Sequence, residues 1–446
     1  MKDILKTIIV PILIILIRPI GLNLYQSIIL AGLVLTVTWW TTAVVKKVYA
    51  SLFLLGVFSL FGSTPIRVIF DFLLSETMVT IVFAYIFSQG ISNSRLAQKL
   101  LEPYLYKHGE NYIKLLIIIL ILQFTTIFII PQPFSRLIIL SIILREYFNG
   151  INLDNKAQVT FMFWIHASSL FINMTITRGD LILNNALLNI ANIELLESTW
   201  VKYMAVPSLI LYIVSAVGFV LMFKKELDKY NHCEKVLKVE KEKLTKKDKI
   251  NMVIIALVVV IWATESFHGI SGTLVVILGS IAMFANKLLK KEDLKCVDVN
   301  LLIFLTAAFS IGKVMTYSGT SDVIFSNFVP LFPDSFNNLY ILMIVLVSMA
   351  LHMILGSNVT SLSVVLPGVM LISSGVIDPV IVMFITYVAV CGHFVLPFHS
   401  VLLLIGNGNK LFPNSITIKF SPVITVIVLT CIFLVYKTWW SMIGVL

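Results

Sequence analysis

The sequence predicts an all-α integral membrane protein with about eleven membrane-spanning helices and two re-entrant hairpins. The 446-residue chain is 59% hydrophobic and 13% charged, whereas roughly a quarter of the residues are charged in an ordinary soluble protein. Apolar runs of about 20 residues recur along the whole chain, as membrane-spanning helices require. Polar residues interrupt several of these runs, where a bilayer core would offer them no water.

The most informative interruption is Gly-Ser-Asn-Val-Thr-Ser-Leu-Ser-Val-Val-Leu-Pro, which runs from Gly356 to Pro367. Unpaired polar groups in a bilayer cost several kcal/mol each, so such a segment persists inside protein or beside a cavity. Hydroxyls, amides and freed carbonyls suit a small cation, and N–H groups at a helix start suit an anion. The segment therefore predicts an ion and anion site near the membrane midplane of a carrier. Hydrogen bonding between packed helices is the alternative.

A Lys-rich segment, residues 224–249, divides the chain into two halves, residues 1–223 and 250–446. We interpret this segment as a cytoplasmic loop. The two halves follow the same order of elements, which predicts an internal repeat of the kind common in transporters. Each half begins with a helix that ends in a Trp-Thr motif, Trp39-Trp40-Thr41 and Trp262-Ala263-Thr264. Two apolar helices and a short amphipathic stretch follow in each half (92–101 and 318–325).

A hairpin and a broken helix complete the pattern in each half. The hairpins are predicted at residues 112–148 and 337–376, and the broken helices at residues 157–193 and 378–408. Polar residues mark each tip and break: Pro131-Gln132-Pro133, Met174 to Asp180, Ser357-Asn358, and Pro397 to Ser400. One more helix ends each half, so each half has an odd number of crossings and the repeats should be inverted.

Basic residues concentrate in the segments assigned to one side of the membrane. This bias predicts a multi-pass protein of the cell membrane with a cytoplasmic N-terminus, an inner first hairpin and an outer second hairpin. The net charge of +10 is explained by this topology, so no nucleic-acid partner is expected. The four cysteines are scattered and suggest neither a disulfide framework nor a zinc site.

The residues at several of these positions resemble the divalent anion:sodium symporter family of the ion transporter superfamily. The Trp-Thr motifs, including Glu265, resemble its Trp-x-Thr-Glu helix ends. Ser357 to Ser361 with Leu366-Pro367 resembles its Ser-Asn-Thr-Ala-Thr and Leu-Pro hairpin tip. Leu396 to Ser400, with Gly406 and Gly408, resembles its second break without the Pro-Pro-Asn, and Leu305 to Gly319 resembles its helix rich in small residues.

The resemblance implies a scaffold that forms a homodimer and a transport part that slides in an elevator-type motion. It also implies two sodium sites that flank an anion between the tips. Carried over residue by residue, Ser357 and Asn358 with Pro397 and Ser400 would hold the second sodium ion. Asn358, Val359, Thr360 and Ser400 would face the anion, although Val359 replaces a threonine of the family.

The first half departs from the family pattern, which makes its sodium site uncertain. We expect four of its polar residues to contact the anion: Gln132, Ser135, Thr177 and Arg178. Arginine within a membrane segment is rare and usually functional, so a fixed guanidinium could replace the charge of a sodium ion. We favour Arg178 over Arg136 because Arg178 lies at the break itself. The alternatives are a structural pair of Arg178 with Asp180, and an Arg136 side chain that reaches the cytoplasmic surface.

The sequence therefore predicts a secondary transporter of small anions of the di/tricarboxylate or sulfate class, and no enzyme. Sodium is the expected coupling ion and no other cofactor is expected; the partners are the anion, the lipid bilayer and a second copy of the chain. Two alternatives stay open, a sodium-independent exchanger or facilitator on the same fold and an integral-membrane glycan polymerase or transferase. Proton coupling also stays open through buried histidines, for which hydrogen bonding between helices is the alternative (His166, His352, His393 and His399).

Overall fold

The computed structural model describes residues 2–42, 44–93, 99, 104–130, 132–233, 244–264, 268–327 and 329–446. Within these ranges the chain forms helices and turns and no strand, so the all-helical prediction is confirmed. Parts of four sequence predictions lie outside the described residues: Pro131 of the first tip, most of the amphipathic stretch 92–101, residues 234–243 of the loop, and Glu265.

The first half opens with helices that lead to a hairpin. They are α1 (Lys2–Ile17), α2 (Leu24–Thr42), α3 (Lys47–Phe61), α4 (Ile66–Ile69) and α5 (Glu76–Asn93). The hairpin follows as α6 (Tyr112–Ile129) and α7 (Pro133–Gly150). The broken helix consists of α8 (Asn155–Asn173), a 3₁₀ turn (Thr177–Asp180) and α9 (Leu183–Ala191), and the half ends with α10 (Glu197–Asn231).

The second half repeats this order. Its first helices are α11 (Lys246–Ala263), α12 (Gly272–Ala285), α13 (Val299–Tyr317) and α14 (Thr320–Ser326). The hairpin is α15 (Asn338–Leu355) and α16 (Asn358–Ile372). The broken helix is α17 (Pro379–Cys391), a 3₁₀ turn (Pro397–His399) and α18 (Val401–Gly408). The last helix is α19 (Asn414–Cys431), which continues through a π-helical segment (Ile432–Tyr436) into α20 (Lys437–Met442).

Polar caps begin the hairpins and broken helices at corresponding places in the two halves. Asn111 and Asn337 each accept a backbone N–H at the start of a hairpin. Asp154 and Asp378 do the same at the start of a broken helix. Such caps satisfy N–H groups that have no partner within the helix. The caps therefore fix the same four boundaries that the apolar runs predict.

Four described helical stretches are long and apolar enough to cross a membrane, judged by length and composition: Tyr112–Ile129, Glu197–Asn231, Lys291–Tyr317 and Asn414–Met442. Other apolar helices are shorter, such as α17 with 13 residues. A helix of that length spans about 20 Å, less than the roughly 30 Å of a bilayer core. Because the breaks divide the apolar runs, the figure of about eleven crossings, the inverted relation of the halves and the elevator motion stay predictions.

The central Lys-rich segment is partly helical. Helix α10 has a non-helical backbone at Phe223, where φ is −113° and ψ is 19°, and then continues to Asn231. The predicted boundary after residue 223 therefore coincides with a bend, and the first part of the predicted loop extends the helix.

Buried apolar side chains form three clusters. The largest combines both hairpins and both broken helices with α10 and α19, and includes Trp164 and Phe420. The second joins α2, α3 and α13, where the rings of Trp40 and Phe304 lie 4.9 Å apart. The third joins α5, α11 and α12. The hairpins and broken helices thus share one large core, while Val359 at the second tip joins the second cluster and Ile130 at the first tip joins the third.

The two halves also pack across each other within this core. Helix α9 of the first half packs against α16 of the second, and α18 of the second packs against α7 and α8 of the first. The hydroxyl of Tyr387 in α17 donates a hydrogen bond to Asn184 Oδ1 in α9. Each hairpin therefore lies against elements of the opposite half.

Candidate functional site

The first tip is closed by the side chain of Gln132. Its Oε1 accepts the backbone N–H of Ser135 and so caps the N-terminus of α7. The Gln132 side chain is buried, and its Nε2 has no hydrogen-bond partner among the described residues. Tyr85 from α5 lies close to this amide. The tip therefore presents a buried, unpaired N–H donor group.

Arg136 lies one turn beyond Gln132 and is 4% exposed. Its Nη1 donates to the Ile130 carbonyl at 3.1 Å, and its Nη2 donates to Asn173 Oδ1 at 2.7 Å and to the Gly179 carbonyl at 2.5 Å. The guanidinium thus ties the tip to the end of α8 and to the 3₁₀ turn. The alternative in which Arg136 reaches the cytoplasmic surface is wrong, because the side chain is buried among these oxygens.

The first break is held by Asn184, a residue that the sequence analysis did not single out. Its Nδ2 donates to the carbonyls of Asn173, Ile176 and Thr177 at 3.0 to 3.1 Å. These are backbone acceptors that the interrupted helix leaves without their usual partners. An amide four residues after the predicted break, at the start of the next helix, was the available signal.

Arg178 points to a different partner from the one expected. Its Nε lies 3.9 Å from Glu197 Oε2, while Glu197 Oε1 accepts the Thr177 N–H at 2.9 Å. Asp180 accepts backbone N–H groups from α9 and its preceding residue, and its charge interacts with that of Arg136. The geometry therefore favours Arg136 over Arg178 as the guanidinium that lies between the first tip and the first break. The Thr177 hydroxyl is buried with no hydrogen-bond partner in the described chain.

The second tip turns at Gly356, whose φ of 69° lies in the left-handed region that favours glycine. Ser357 precedes α16, and Asn358, Val359 and Thr360 form its first turn, all buried. Hydrogen-bond partners within the described residues are lacking for Asn358 Oδ1 and for the Thr360 hydroxyl. The predicted second tip is thus a turn between two helices with unpaired polar atoms.

The second break carries a cluster of buried histidines. His352 in α15 donates from Nε2 to the His399 carbonyl at 3.0 Å. His393 donates from Nδ1 to the Ala389 carbonyl at 2.6 Å. The His352 ring centre lies 5.2 Å from that of His393 and 5.5 Å from that of His399. Ser400 follows and is buried. For His352, the interpretation as a hydrogen bond between elements describes what is observed.

Two backbone carbonyls that accept hydrogen bonds from basic side chains lie at corresponding positions of the two halves. Gly179 is the third residue of the first 3₁₀ turn, and His399 is the third residue of the second. Arg136 reaches the first carbonyl from its hairpin, and His352 reaches the second from its own. The first half therefore has a permanently charged arginine at this position. The second half has a histidine, which is neutral when only one ring nitrogen carries a proton.

The unpaired amide atoms at the first tip and break are donors, whereas His166 Nε2 in the middle of α8 is an unpaired acceptor among the described residues. Gln132 Nε2 and Asn173 Nδ2 are buried without a partner in the described chain. Their identity is fixed, because Gln132 Oε1 accepts the Ser135 N–H and Asn173 Oδ1 accepts from Arg136. Unpaired N–H groups beside a guanidinium suit an anion.

The unpaired ring nitrogens of the second half are acceptors. His352 Nδ1 and His393 Nε2 lack partners among the described residues, and the opposite nitrogen of each ring faces a carbonyl and so carries the proton. Asn358 Oδ1 adds a third unpaired acceptor. Acceptors without donors suit a cation, and an amide oxygen beside hydroxyls and a free helix end provides oxygen ligands of the kind that sodium takes.

No group of three or more His, Cys, Asp or Glu residues in the described ranges is placed to hold a metal ion. Such a group is the usual environment of a transition metal. Ser357, Asn358 and Ser400 are buried and carry hydroxyl and amide oxygens of the type that an alkali cation takes.

Comparison with known proteins points to one family. The family model described as the sodium:sulfate symporter transmembrane region matches residues 1–446, the entire chain. No curated protein matches the chain significantly.

Proposed function

Because the chain belongs to the sodium:sulfate symporter family, we propose that it is a sodium-coupled secondary transporter of a small anion, either sulfate or a di- or tricarboxylate. The opposite polarity of the unpaired amide atoms at the two tips and the first break is the observation that carries this proposal. Gln132 Nε2 and Asn173 Nδ2 are donors in the first half, and Asn358 Oδ1 is an acceptor in the second. One region can therefore bind an anion and a cation side by side.

The anion is proposed to bind between the two tips. From the first half, Gln132 Nε2 and the Thr177 hydroxyl offer unpaired donors beside the charge of Arg136. From the second half, the backbone N–H groups at the start of α16 and the hydroxyls of Thr360 and Ser400 complete the set. Helix N-termini favour negative charge, so α7 and α16 both contribute. Ser135, Asn358, Val359 and Arg178 stay predicted contacts.

Sodium is proposed to bind at the second tip, through Ser357, Asn358, Ser400 and the backbone near Pro397. Asn358 Oδ1 is buried and unpaired in the described chain, so a cation there would satisfy an atom that otherwise costs folding energy. A bound sodium ion would supply positive charge next to the anion and so couple the two ligands.

The first cation position is proposed to be filled by Arg136. Its guanidinium binds two backbone carbonyls and one amide oxygen, from the tip, the end of α8 and the turn. These oxygens are of the type that would otherwise coordinate sodium, and the guanidinium supplies the same charge permanently. The protein would therefore couple transport to fewer sodium ions than a carrier with two cation sites.

The placement in the cell is proposed from charge. The lysines of the central loop and of the turn after α12 fit a cytoplasmic face, which puts the N-terminus inside. The apolar outer surfaces of the helices fit a lipid bilayer, and we propose a homodimer in the cell membrane. Membership of a transporter family is consistent with a protein that is not an enzyme.

Uptake into proteoliposomes tests the function. Purified protein should accumulate radiolabelled sulfate or succinate when an inward sodium gradient is present, and should do so far less with an equal potassium gradient. Uptake that ignores sodium and requires an anion inside the vesicle would instead show an exchanger. Absence of uptake and of exchange for every small anion tried would refute the proposal.

A further inference from the structure

A polar cavity of about 460 Å³ lies outside the tips and breaks, where the two halves meet beside the third apolar cluster. It is formed by the end of α5, the start of α11 and the turns that follow α12. Three exposed lysines line it, Lys247, Lys287 and Lys290. None of the three forms an ion pair with a carboxylate among the described residues.

The two carboxylates of the cavity are already satisfied. Asp248 Oδ2 accepts from Lys99 Nζ at 2.9 Å, and from the N–H and the hydroxyl of Thr245 at 2.8 Å each. Asp293 Oδ2 accepts from Asn93 Nδ2 at 3.1 Å and from the Lys290 N–H at 2.7 Å. These acids therefore hold the walls of the cavity together. Lys99 neutralises Asp248, and Asp293 offsets only one of the three ammonium groups, so the cavity keeps a net positive charge.

The wall that carries Lys287 is held in an unusual backbone conformation. Lys287 has a φ of 57°, in the left-handed region that residues with side chains seldom adopt. The next carbonyl, of Leu288, accepts from Asn93 Nδ2 at 3.2 Å, which ties this turn to α5. The side chain of Lys287 is thus directed by a fixed turn, and its position depends on contacts between the two halves.

Apolar stripes run from the cavity along α11 and α12. Val253, Leu257 and Val260 are spaced by three and four residues on α11 and are 56% to 59% exposed. Leu278 and Ile281 on α12 are both 55% exposed. Residues at this spacing share one helix face, so each helix offers acyl chains a continuous apolar surface.

We propose that this cavity binds the phosphate headgroup of an anionic phospholipid, with the acyl chains along the exposed faces of α11 and α12. Basic cavities at the membrane edge between helices attract anionic headgroups, and each basic side chain near the surface contributes to the attraction. The adjoining apolar stripes favour a lipid over free phosphate. The bound lipid would hold α5 of the first half against α11 and α12 of the second.

Native mass spectrometry and thermal unfolding of the full-length protein test this site. The probes are phosphatidylglycerol, phosphatidylcholine and inorganic phosphate. The test variant replaces Lys247, Lys287 and Lys290 with glutamine. The control replaces Lys156, Lys224 and Lys225 with glutamine; these are also exposed lysines, outside the cavity and assigned to the same side of the membrane.

Phosphatidylglycerol should form a saturable adduct with wild-type protein and raise its melting temperature, whereas phosphatidylcholine should do neither. The test variant should bind phosphatidylglycerol about 100-fold more weakly, and the control should behave like wild type. Equal loss in both variants would overturn the site in favour of general attraction to lysines. Binding of inorganic phosphate that excludes the lipid would overturn the lipid assignment, and absence of any adduct would overturn the proposal.

Discussion

Arg136 is the residue whose replacement should affect anion binding most. Arg136 would place a fixed positive charge beside the anion, and loss of a charged partner costs about 1.5 to 3 kcal/mol, so anion affinity should weaken roughly 10- to 150-fold. Arg136→Gln removes the charge, whereas Arg136→Lys keeps the charge without the planar fork. We expect anion affinity, measured by calorimetry on purified protein, to fall in the order wild type, Arg136→Lys, Arg136→Gln.

Arg178→Gln is the matched comparison for Arg136. Its ion pair with Glu197 is long, at 3.9 Å, and partly exposed, and such pairs contribute about 1 kcal/mol or less. We expect near wild-type anion affinity from a well-folded Arg178→Gln protein. If Arg178→Gln loses the affinity and Arg136→Gln keeps it, the sequence-based preference for Arg178 is right and the assignment to Arg136 is wrong.

Asn358 should control the response to sodium. Asn358→Ala removes an amide oxygen that is buried at the second tip, so the sodium concentration for half-maximal uptake should rise at least about tenfold. Ser363→Ala is the control, because Ser363 lies one turn further along α16 and its hydroxyl donates to the Val359 carbonyl of its own helix. Wild-type sodium activation in Asn358→Ala would remove Asn358 from the sodium site.

The polar residues of the site are easier to predict from the sequence than their hydrogen-bond partners are. The polar residues of the second tip stand out because the runs around them are apolar. The choice between Arg136 and Arg178 does not follow, because it depends on which carbonyls the folded break leaves open. The role of Asn184 could not be predicted for the same reason, because its three carbonyl acceptors come together only when α8 ends and α9 turns back.

At the scale of elements, the first 3₁₀ turn packs against the end of α8 without room for a side chain. A Cβ added to Gly179 would lie 2.2 Å from the Asn173 carbonyl oxygen. We expect Gly179→Ala to destabilise the protein by about 3 kcal/mol and to displace the carbonyl that Arg136 binds. The measurement is the melting temperature in detergent, together with anion affinity.

Gly408→Ala provides the control for this substitution. Gly408 ends α18 in the other half, and an added Cβ would meet no atom within 4 Å. Its melting temperature should stay at or above that of wild type, because alanine favours helix. A Gly179→Ala protein as stable as Gly408→Ala would mean that the turn is not packed as described.

The order of the hairpins and broken helices could be predicted because tips and breaks interrupt long apolar runs with Pro, Gly, Ser and Asn. Their ends could be placed within a few residues because Asn111, Asp154, Asn337 and Asp378 cap the helices. The continuation of α10 to Asn231 was not apparent, since its Lys-rich sequence is equally compatible with a solvated loop and an exposed helix end.

At the scale of the whole molecule, the two tips should be reachable from opposite sides of the membrane. We expect a cysteine at Ser357 to react with a membrane-impermeant maleimide from outside and one at Ser135 to react from inside. Sodium and anion should change both rates. Cys233 and Cys296, which are half-buried, must first be replaced by serine. Labelling of both positions from one side, or of neither in any condition, would contradict inverted hairpins and alternating access.

The opposite charges of Arg136 and Asp180 have a consequence for how voltage would act on the proposed transport. Arg136 and the nearby Asp180 carry opposite charges, so together they would add no net charge to the return of the empty site across the membrane in the proposed transport cycle. Moving one elementary charge through 100 mV requires about 2.3 kcal/mol, and that work then falls on the cargo alone. A divalent anion accompanied by a single sodium ion moves negative charge inward. An interior-negative potential would therefore oppose uptake, which is the electrical consequence of replacing a mobile cation with a fixed one.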